Sequence, residues 1–202
     1  MSCSTRCKSL MRPTKLHLHT GISVFAALSL VSLCLLIPLQ AAPGSPPPAE
    51  VVRELDKPVL AGSGRLRWLG ISVYEAHLWT TSAFQPERFA ASNFALEIRY
   101  AQSINAKALA DVSIQQMQAL EPLSAARQIE WQQALRSAFP DVQAGDRITG
   151  MHIAEKGMRL YFNGQLHKSI DDPLLSQSFF AIWLSPATQE PRLRAQLLGT
   201  GS

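Results

Sequence analysis

The sequence predicts an α+β fold in which a mostly antiparallel sheet carries helices on one face. Three observations lead to this prediction. Apolar residues alternate as in strands over 58–80 and 94–101, recur at helical spacing over 105–139, and return to strand character over 145–170. Strand regions and helical regions therefore follow one another in blocks, without the regular β-α-β alternation that is typical of a parallel sheet.

The first strand region, residues 58–80, predicts two strands or one bent strand. Its alternation of β-branched and aromatic residues is interrupted by Gly62, Gly64 and Gly70. The segment GSGRLRWLG superficially resembles a phosphate-binding loop, but strand residues follow it and the lysine of such a loop is missing. We therefore interpret these glycines as positions of a turn or a bulge.

The third strand and the two helices after it have distinct apolar faces. The strand at 94–101 places alternate residues on one face, namely Phe94, Leu96, Ile98 and Tyr100. The helix predicted over 105–120 has an apolar face formed by Leu109, Val112, Ile114, Met117 and Leu120. A second helix is predicted over 124–139, with Ser124 as a possible cap and Pro140 ending it.

A hairpin and two further helices complete the predicted domain. Asn163-Gly164, between MRLYF and QLHKSI, is the strongest hairpin pattern in the chain. The segment DDPLLSQSFFAIWLS predicts a buried helix with Asp171 or Asp172 as cap and Pro173 in its first turn. The segment PRLRAQLLG predicts a short closing helix.

The chain is predicted to consist of a signal peptide (1–42), a proline-rich linker (43–50) and a domain (51–202). A basic start is followed by an uncharged apolar run over 21–39 and then by small residues, which is the order of a secretory signal. We therefore expect an exported, periplasmic protein. An uncleaved membrane anchor is the alternative, since the apolar run approaches the length of a membrane span.

The predicted leader accounts for the net charge and holds all of the cysteines. The formal charge of +4 equals the four cations in its basic start, and acidic and basic residues balance after residue 42. No basic run and no interleaving of aromatic and basic residues follows the leader, so nucleic-acid binding is not expected. All three cysteines precede residue 35, so the domain has no thiol nucleophile, thiolate metal site or disulfide.

No metal, cofactor or local catalytic motif is indicated. His77, His152 and His167 stand apart, without the spacing of metal ligands. No G-x-S-x-G motif occurs, although the fold could still bring distant residues together as a triad. The adjacent Asp171 and Asp172 are interpreted as a helix cap rather than as an acid–base pair.

The candidate ligand-binding residues are polar and aromatic side chains of the strands: Arg65, Arg67, Trp68, Tyr74 and Tyr100. In a strand, Arg65 and Arg67 lie on one face and Trp68 on the other. A partly covered sheet can hold an elongated apolar ligand whose carboxylate is bound by a buried arginine. The pattern leaves open which of the two faces is covered.

Four stretches of the domain also match a known family in order. They are GSGRLRWLGISVYEAHLW (62–79), FALEIRY (94–100), FPDVQAGDRITGMHI (139–153) and MRLYFNGQLHKSIDDPLLSQSFFAIWLSPATQEPRLRAQLLG (158–199). With these stretches the chain resembles the chalcone isomerase-like family, in its exported bacterial branch, over nearly all of 51–200. The resemblance implies a curved antiparallel sheet with a layer of helices on one side and a cleft between them.

The resemblance implies either ring closure of flavonoids, as in the plant enzymes, or fatty-acid binding, as in related proteins. Relatives anchor the ligand's negative charge with an arginine shortly after the glycine pair, and by spacing that place is Leu66 here. A one-residue bulge could turn Arg65 or Arg67 inward. Of the enzymes' tyrosine and lysine near the start of the next helix, the lysine has a counterpart in Lys107, and the segment SINAKALAD after Tyr100 holds no tyrosine. Ring closure is therefore not expected.

Three functions remain. The favoured hypothesis is a non-catalytic periplasmic protein that binds a fatty acid or similar amphipathic molecule, contacts no nucleic acid and meets the membrane only through its leader. The second is an envelope interaction module in which aromatic residues fill a closed cleft. The third is an isomerase or intramolecular lyase in which Tyr74 or Tyr100, with an arginine, stabilises an oxyanion.

Overall fold

The computed structural model describes residues 46–201, which form one antiparallel sheet of six strands with helices on both faces. The predicted leader and the first residues of the predicted linker lie outside the described residues. The division into leader, linker and domain therefore stays a prediction. No helix within 46–201 is both long and apolar enough to cross a membrane.

The elements follow one another as α1 (Ala49–Glu54), β1 (Val59–Trp68), β2 (Ile71–Thr80), a 3-10 segment (Pro86–Ala91), β3 (Phe94–Tyr100), α2 (Ala106–Leu120), α3 (Ala125–Ala138), β4 (Arg147–Ile153), β5 (Gly157–Phe162), β6 (Gln165–Ile170), α4 (Pro173–Leu184) and α5 (Pro191–Leu197). The strands lie in the sheet in chain order, and every neighbouring pair is antiparallel. The predicted α+β class with an antiparallel sheet is confirmed.

Short-range polar contacts begin the long helices and close the hairpin. Asn105, Ser124 and Asp172 each accept a hydrogen bond from the backbone N–H three residues later, which satisfies a donor that the helix leaves free. Asp172 is therefore the cap of α4. Asn163 and Gly164 both have positive φ, 48° and 88°, as a two-residue turn between twisted strands requires.

Two glycines of β1 allow α5 to pack directly on the strand. A Cβ atom added at Gly62 would lie 2.1 Å from the carbonyl oxygen of Gln196, and one at Gly64 would lie 2.6 Å from Cδ1 of Leu193. A bulge does occur between Leu60 and Gly62, as the glycines suggested. Their principal role is nevertheless the close approach of a helix, which the local sequence does not reveal.

The sheet is covered on both faces. Helices α2 to α5 pack on the face that carries Phe94, Leu96 and Ile98 and form the main core. On the opposite face, Val51 of α1 and Leu55, which directly follows that helix, pack in a smaller cluster with Trp79, Ala95, Met151 and Tyr161. The prediction of helices on one face describes α2 to α5 but omits α1, because six residues are too few to show a helical period.

Ion pairs hold α1 against the sheet. Glu50, which is 1% exposed, pairs with Arg147 and accepts a hydrogen bond of 2.8 Å from Oγ1 of Thr149. Glu54 accepts hydrogen bonds from Nη1 of Arg159 at 2.7 Å and from Oη of Tyr161 at 2.5 Å. Burial alone would raise the pKa of Glu50, but hydrogen bonds from its own backbone, Arg147 and Thr149 hold that pKa below its usual value. Glu50 is therefore a buried anion that needs its cation.

We predict that Arg147→Gln lowers the free energy of unfolding by about 3 kcal/mol, because Glu50 would keep its buried charge without the cation. Urea unfolding of the purified protein measures the loss. Arg136→Gln is the matched control, since Arg136 pairs with Asp111 at the surface, and a much smaller loss is expected there. Equal losses in the two variants would contradict a special role of the Glu50 pair.

We also predict that Gly62→Ala lowers the free energy of unfolding by about 2 kcal/mol or more, because the added methyl group displaces backbone atoms of α5. Ser63→Ala, at an exposed neighbouring position of the same strand, should change stability little. Thermal unfolding of both variants tests this, and an unchanged melting temperature for Gly62→Ala would show that α5 does not need the close contact.

Candidate functional site

A cavity of about 250 Å³ lies between the sheet and helices α2 and α4. Its volume is close to the lower end of the pockets that hold small molecules, about 300–1,000 Å³. The sheet contributes apolar side chains and one glycine: Leu96, Ile98, Ile148, Gly150 and Leu160. The helices contribute Leu109, Val112, Phe179, Phe180, Ile182 and Trp183. Most of the wall is therefore hydrocarbon or aromatic surface.

A glycine of β4 sets the depth of the cavity next to Phe180. Gly150 pairs with Leu96 on one side and Leu160 on the other. A Cβ atom at Gly150 would lie 3.1 Å from the Phe180 ring, so the ring rests directly on the strand backbone. Phe180 also packs edge-on against Phe94, with ring centroids 4.9 Å apart. These contacts fix the aromatic wall without filling the space beside it.

One part of the cavity wall is polar. Nε1 of Trp183 donates a hydrogen bond of 2.8 Å to Oη of Tyr74, and the ring of Tyr100 lies edge-on to Tyr74 with centroids 6.3 Å apart. Because an indole N–H can only donate, the Tyr74 hydroxyl is the acceptor in this bond and keeps its own proton for another partner. The two phenols therefore offer hydrogen-bond donors to a ligand.

Both phenols stay neutral at physiological pH. Burial raises the pKa of Tyr74 to about 12, and the nearby carboxylate of Glu190 acts in the same direction against the opposing hydrogen bond from Trp183. Burial also raises the pKa of Tyr100, with a further contribution from Tyr74. At this part of the wall the phenols can donate and accept hydrogen bonds, but they supply no charge.

Glu190 is the charged group at the cavity. Among the lining residues of the described chain, none is Lys, Arg or His, and Glu190 is the one carboxylate. The other polar lining residues are Ser113 and Gln116. The Ser113 hydroxyl donates to the carbonyl oxygen of Leu109 at 2.8 Å, so its proton is already used.

The structure separates the five residues that were predicted to bind a ligand. Tyr74 and Tyr100 line the cavity, and their contact with a ligand stays a prediction. Arg65 lies on the opposite face of the sheet, 3.5 Å from the carboxylate of Glu75. Arg67 is exposed, and Trp68 at the end of β1 is 69% exposed. A ligand anchored by a β1 arginine does not fit this placement.

A bulge does occur at this point of the sheet, but in the other strand. Leu66 pairs with Tyr74 and Arg67 pairs with Ser72, so Val73 is the extra residue and belongs to β2. As a result, Val73 and Tyr74 both contact the cavity, and Leu66 fills the inward position of β1. The bulge thus adds an apolar contact instead of turning an arginine inward.

Sequence reasoning missed three residues that shape the cavity: Gly150, Trp183 and Glu190. They belong to β4, α4 and the start of α5, which are distant in sequence. Trp183 belongs to the predicted buried helix, and Glu190 follows the turn at 185–189 after it. No local pattern distinguishes them, because their proximity to Tyr74 is created by the packing of the helices on the sheet.

Comparison with known proteins agrees with this architecture. The family model described as chalcone isomerase-like matches residues 44–199. The crystal structure of a fatty-acid binding protein from Arabidopsis thaliana is similar with a TM-score of 0.54 and 14% identity, over 71% of this chain and 88% of that chain. At this identity the likeness shows the fold alone. No curated protein matches the chain in sequence.

A serine–histidine pair lies outside the cavity. Nδ1 of His152 is 2.7 Å from Oγ of Ser176, and its Nε2 is 3.0 Å from the carbonyl oxygen of Ala90. His152 is 1% exposed, Ser176 is fully buried, and neither lines the cavity. The pair therefore links β4 to α4 and the 3-10 segment and has no surface for a substrate. Within residues 46–201, no three His, Cys, Asp or Glu side chains are grouped for a metal ion.

We predict an acid-sensitive contribution of His152 to stability. Burial lowers the pKa of His152 from 6.5, so the unfolded chain takes up a proton more readily than the folded protein. The stabilisation is complete above pH 6.5 and is lost as the pH falls toward the lower folded pKa. The free energy of unfolding, measured with urea at several pH values between 8 and 5, should fall less with decreasing pH in His152→Gln than in the exposed control His167→Gln. The same pH dependence of the unfolding free energy in both variants would contradict this role of His152.

Proposed function

The chain belongs to the chalcone isomerase-like family, and on that premise we propose that it is a non-catalytic protein that binds a fatty acid or similar amphipathic molecule. The observation that carries this proposal is the apolar cavity between the sheet and α2 and α4, with its hydrogen-bonding groups gathered around Tyr74. A largely apolar pocket with a few polar groups is the usual form of a small-molecule site.

The cavity suits a ligand with a hydrocarbon chain. Each methylene group moved from water to an apolar wall contributes about 0.8 kcal/mol, so even a medium-length chain gains substantial free energy there. Aromatic rings, among them Phe179 and Phe180, and the branched side chains of β3 and β4 supply this wall. Tyr74 and Tyr100 supply hydrogen bonds for a polar head group.

The comparison with solved structures supports the same class of function. The similar protein from Arabidopsis thaliana is a fatty-acid binding protein. We extend lipid binding to this chain on the basis of its own cavity, because the low identity carries no ligand contacts over.

The polar groups of the isomerase hypothesis are only partly present at the cavity. Lys107, the counterpart of the enzymes' lysine, is largely exposed and bound to Asp111 at 2.6 Å. None of the described arginines lines the cavity beside Tyr74 and Tyr100. Two neutral phenols without a cation offer limited stabilisation to a developing oxyanion. We therefore favour binding over turnover, and the cavity favours a ligand over the closed cleft of an interaction module.

We also propose that the protein acts in the periplasm. The proposal rests on the order of basic, apolar and small residues in the first 42 residues. Because this segment lies outside the described residues, its removal has to be tested on the protein itself.

The first test is native mass spectrometry of the protein purified from the periplasmic fraction. We expect one acyl-chain molecule per protein, identified after organic extraction, and a protein mass that shows a chain beginning near Ala42. A protein that stays empty after incubation with dodecanoate and 1-dodecanol would contradict lipid binding. A mass that includes the leader would contradict cleavage but not binding.

A second test blocks the cavity. Val112 lines the cavity and is 46% exposed, so it lies where the cavity meets the surface and can accept a larger side chain without strain in the core. We predict that Val112→Trp reduces lipid binding at least about tenfold, since each 1.4 kcal/mol lost is tenfold in affinity. Ile129→Trp adds the same indole to an exposed apolar position of α3 and should bind normally. Equal binding by both variants would contradict the assignment of this cavity.

A further inference from the structure

No Lys, Arg or His is among the described lining residues of the cavity, and the arginines of β1, β3 and β4 that pair with carboxylates lie on the opposite face of the sheet. Along β3, the residues of the cavity face alternate with Glu97 and Arg99 on the opposite face. There Arg99 bonds to Glu97 at 2.7 Å, Arg147 pairs with Glu50, and Arg65 lies 3.5 Å from Glu75. These arginines are bound to carboxylates and separated from the cavity by the strand backbone.

A negative charge lies at the polar wall instead. Glu190 lines the cavity and is close enough to Tyr74 to oppose ionisation of its hydroxyl. The carboxylate of a fatty acid placed at Tyr74 would meet a second carboxylate and no cation. Glu190 is exposed, so water weakens its repulsion of a second carboxylate, and the larger penalty is the transfer of the ligand's carboxylate from water to an apolar wall without a cation.

We propose that the cavity selects neutral lipids with a hydroxyl head group, such as a long-chain alcohol or a monoacylglycerol, over ionised fatty acids. This inference rests on the proposed lipid-binding function and names its ligand class. It follows from the set of polar groups at the wall: the phenols of Tyr74 and Tyr100, the carboxylate of Glu190, and the absence of a cation among the described lining residues.

A hydroxyl group matches this wall in both directions. It can accept a hydrogen bond from the phenol of Tyr74, whose own acceptor site is used by Trp183. It can also donate its proton to the carboxylate of Glu190, and hydrogen bonds to a charged acceptor are among the strong ones. A carboxylate head group can only accept, so it would leave Glu190 without a donor.

The inner position of β1 supports the same selection. The residue at this position is Leu66, which lines the cavity as an apolar side chain. An arginine at the same position could neutralise an acidic head group, and leucine cannot. The extra residue of the neighbouring bulge, Val73, adds a second apolar contact. The surroundings of the head group therefore combine apolar contacts, two phenols and one anion.

The test compares two probes of equal chain length, 1-dodecanol and dodecanoate, by titration of the delipidated full protein at pH 8. We expect 1-dodecanol to bind at least about tenfold more tightly. Equal or tighter binding of dodecanoate would overturn the head-group selection and leave the proposed lipid-binding function intact. Binding of neither probe would instead contradict the proposed function itself.

A matched pair of variants assigns the selection to Glu190. Glu190→Gln removes the charge at an exposed position whose side chain makes no helix-cap hydrogen bond, so the fold should persist. We expect the dissociation constant of dodecanoate, divided by that of 1-dodecanol, to fall several-fold, mainly because dodecanoate binds more tightly. Glu130→Gln removes the same charge from an exposed position of α3 that does not line the cavity, and it should keep the wild-type ratio. An unchanged ratio in Glu190→Gln would overturn the role of this carboxylate.

Discussion

The structure depends on a sheet whose central strands are covered on both faces. In β3, every residue except Arg99 is buried, so both sets of alternating side chains must find partners inside the protein. Glu97 is fully buried at the centre of this strand. Its carboxylate accepts hydrogen bonds from Nε1 of Trp79 at 3.0 Å and from Nε of Arg99 at 2.7 Å. A buried anion is stable only with such partners. Arg99 and Arg147 lie on the same face of the sheet as Glu97 and supply the positive charge.

The opposite face of the same strands is left to apolar packing. Phe94, Leu96 and Ile98 meet the helices, and the aromatic rings of α4 pack edge-on around Phe94 and Phe179. Edge-to-face rings are held in defined orientations, so they do not collapse easily into adjacent free space. Gly150 lets the Phe180 ring rest on the backbone of β4, and the rings of α4 thereby form one wall of the cavity.

The two faces thus divide the polar chemistry of the protein. One face holds carboxylate–arginine pairs that attach the short helix α1. The other holds neutral phenols and a single carboxylate at the edge of an apolar space. Leu66 and Glu190 line the cavity and none of the described arginines does, which is the basis of the proposed preference for a neutral head group.

The sequence by itself determined the elements with strong local rules. Alternation identified the strands, helical spacing and caps identified α2, α3 and α4, and Asn163-Gly164 fixed the last hairpin. These patterns work because side-chain direction and turn geometry depend on neighbouring residues. Tertiary structure alone decided which face of the sheet lines the cavity. It therefore decided that Tyr74 contacts the cavity and that Arg65 lies on the opposite face. It also brought Glu190 to Tyr74, because contacts between distant elements follow from packing and leave no local trace in the chain.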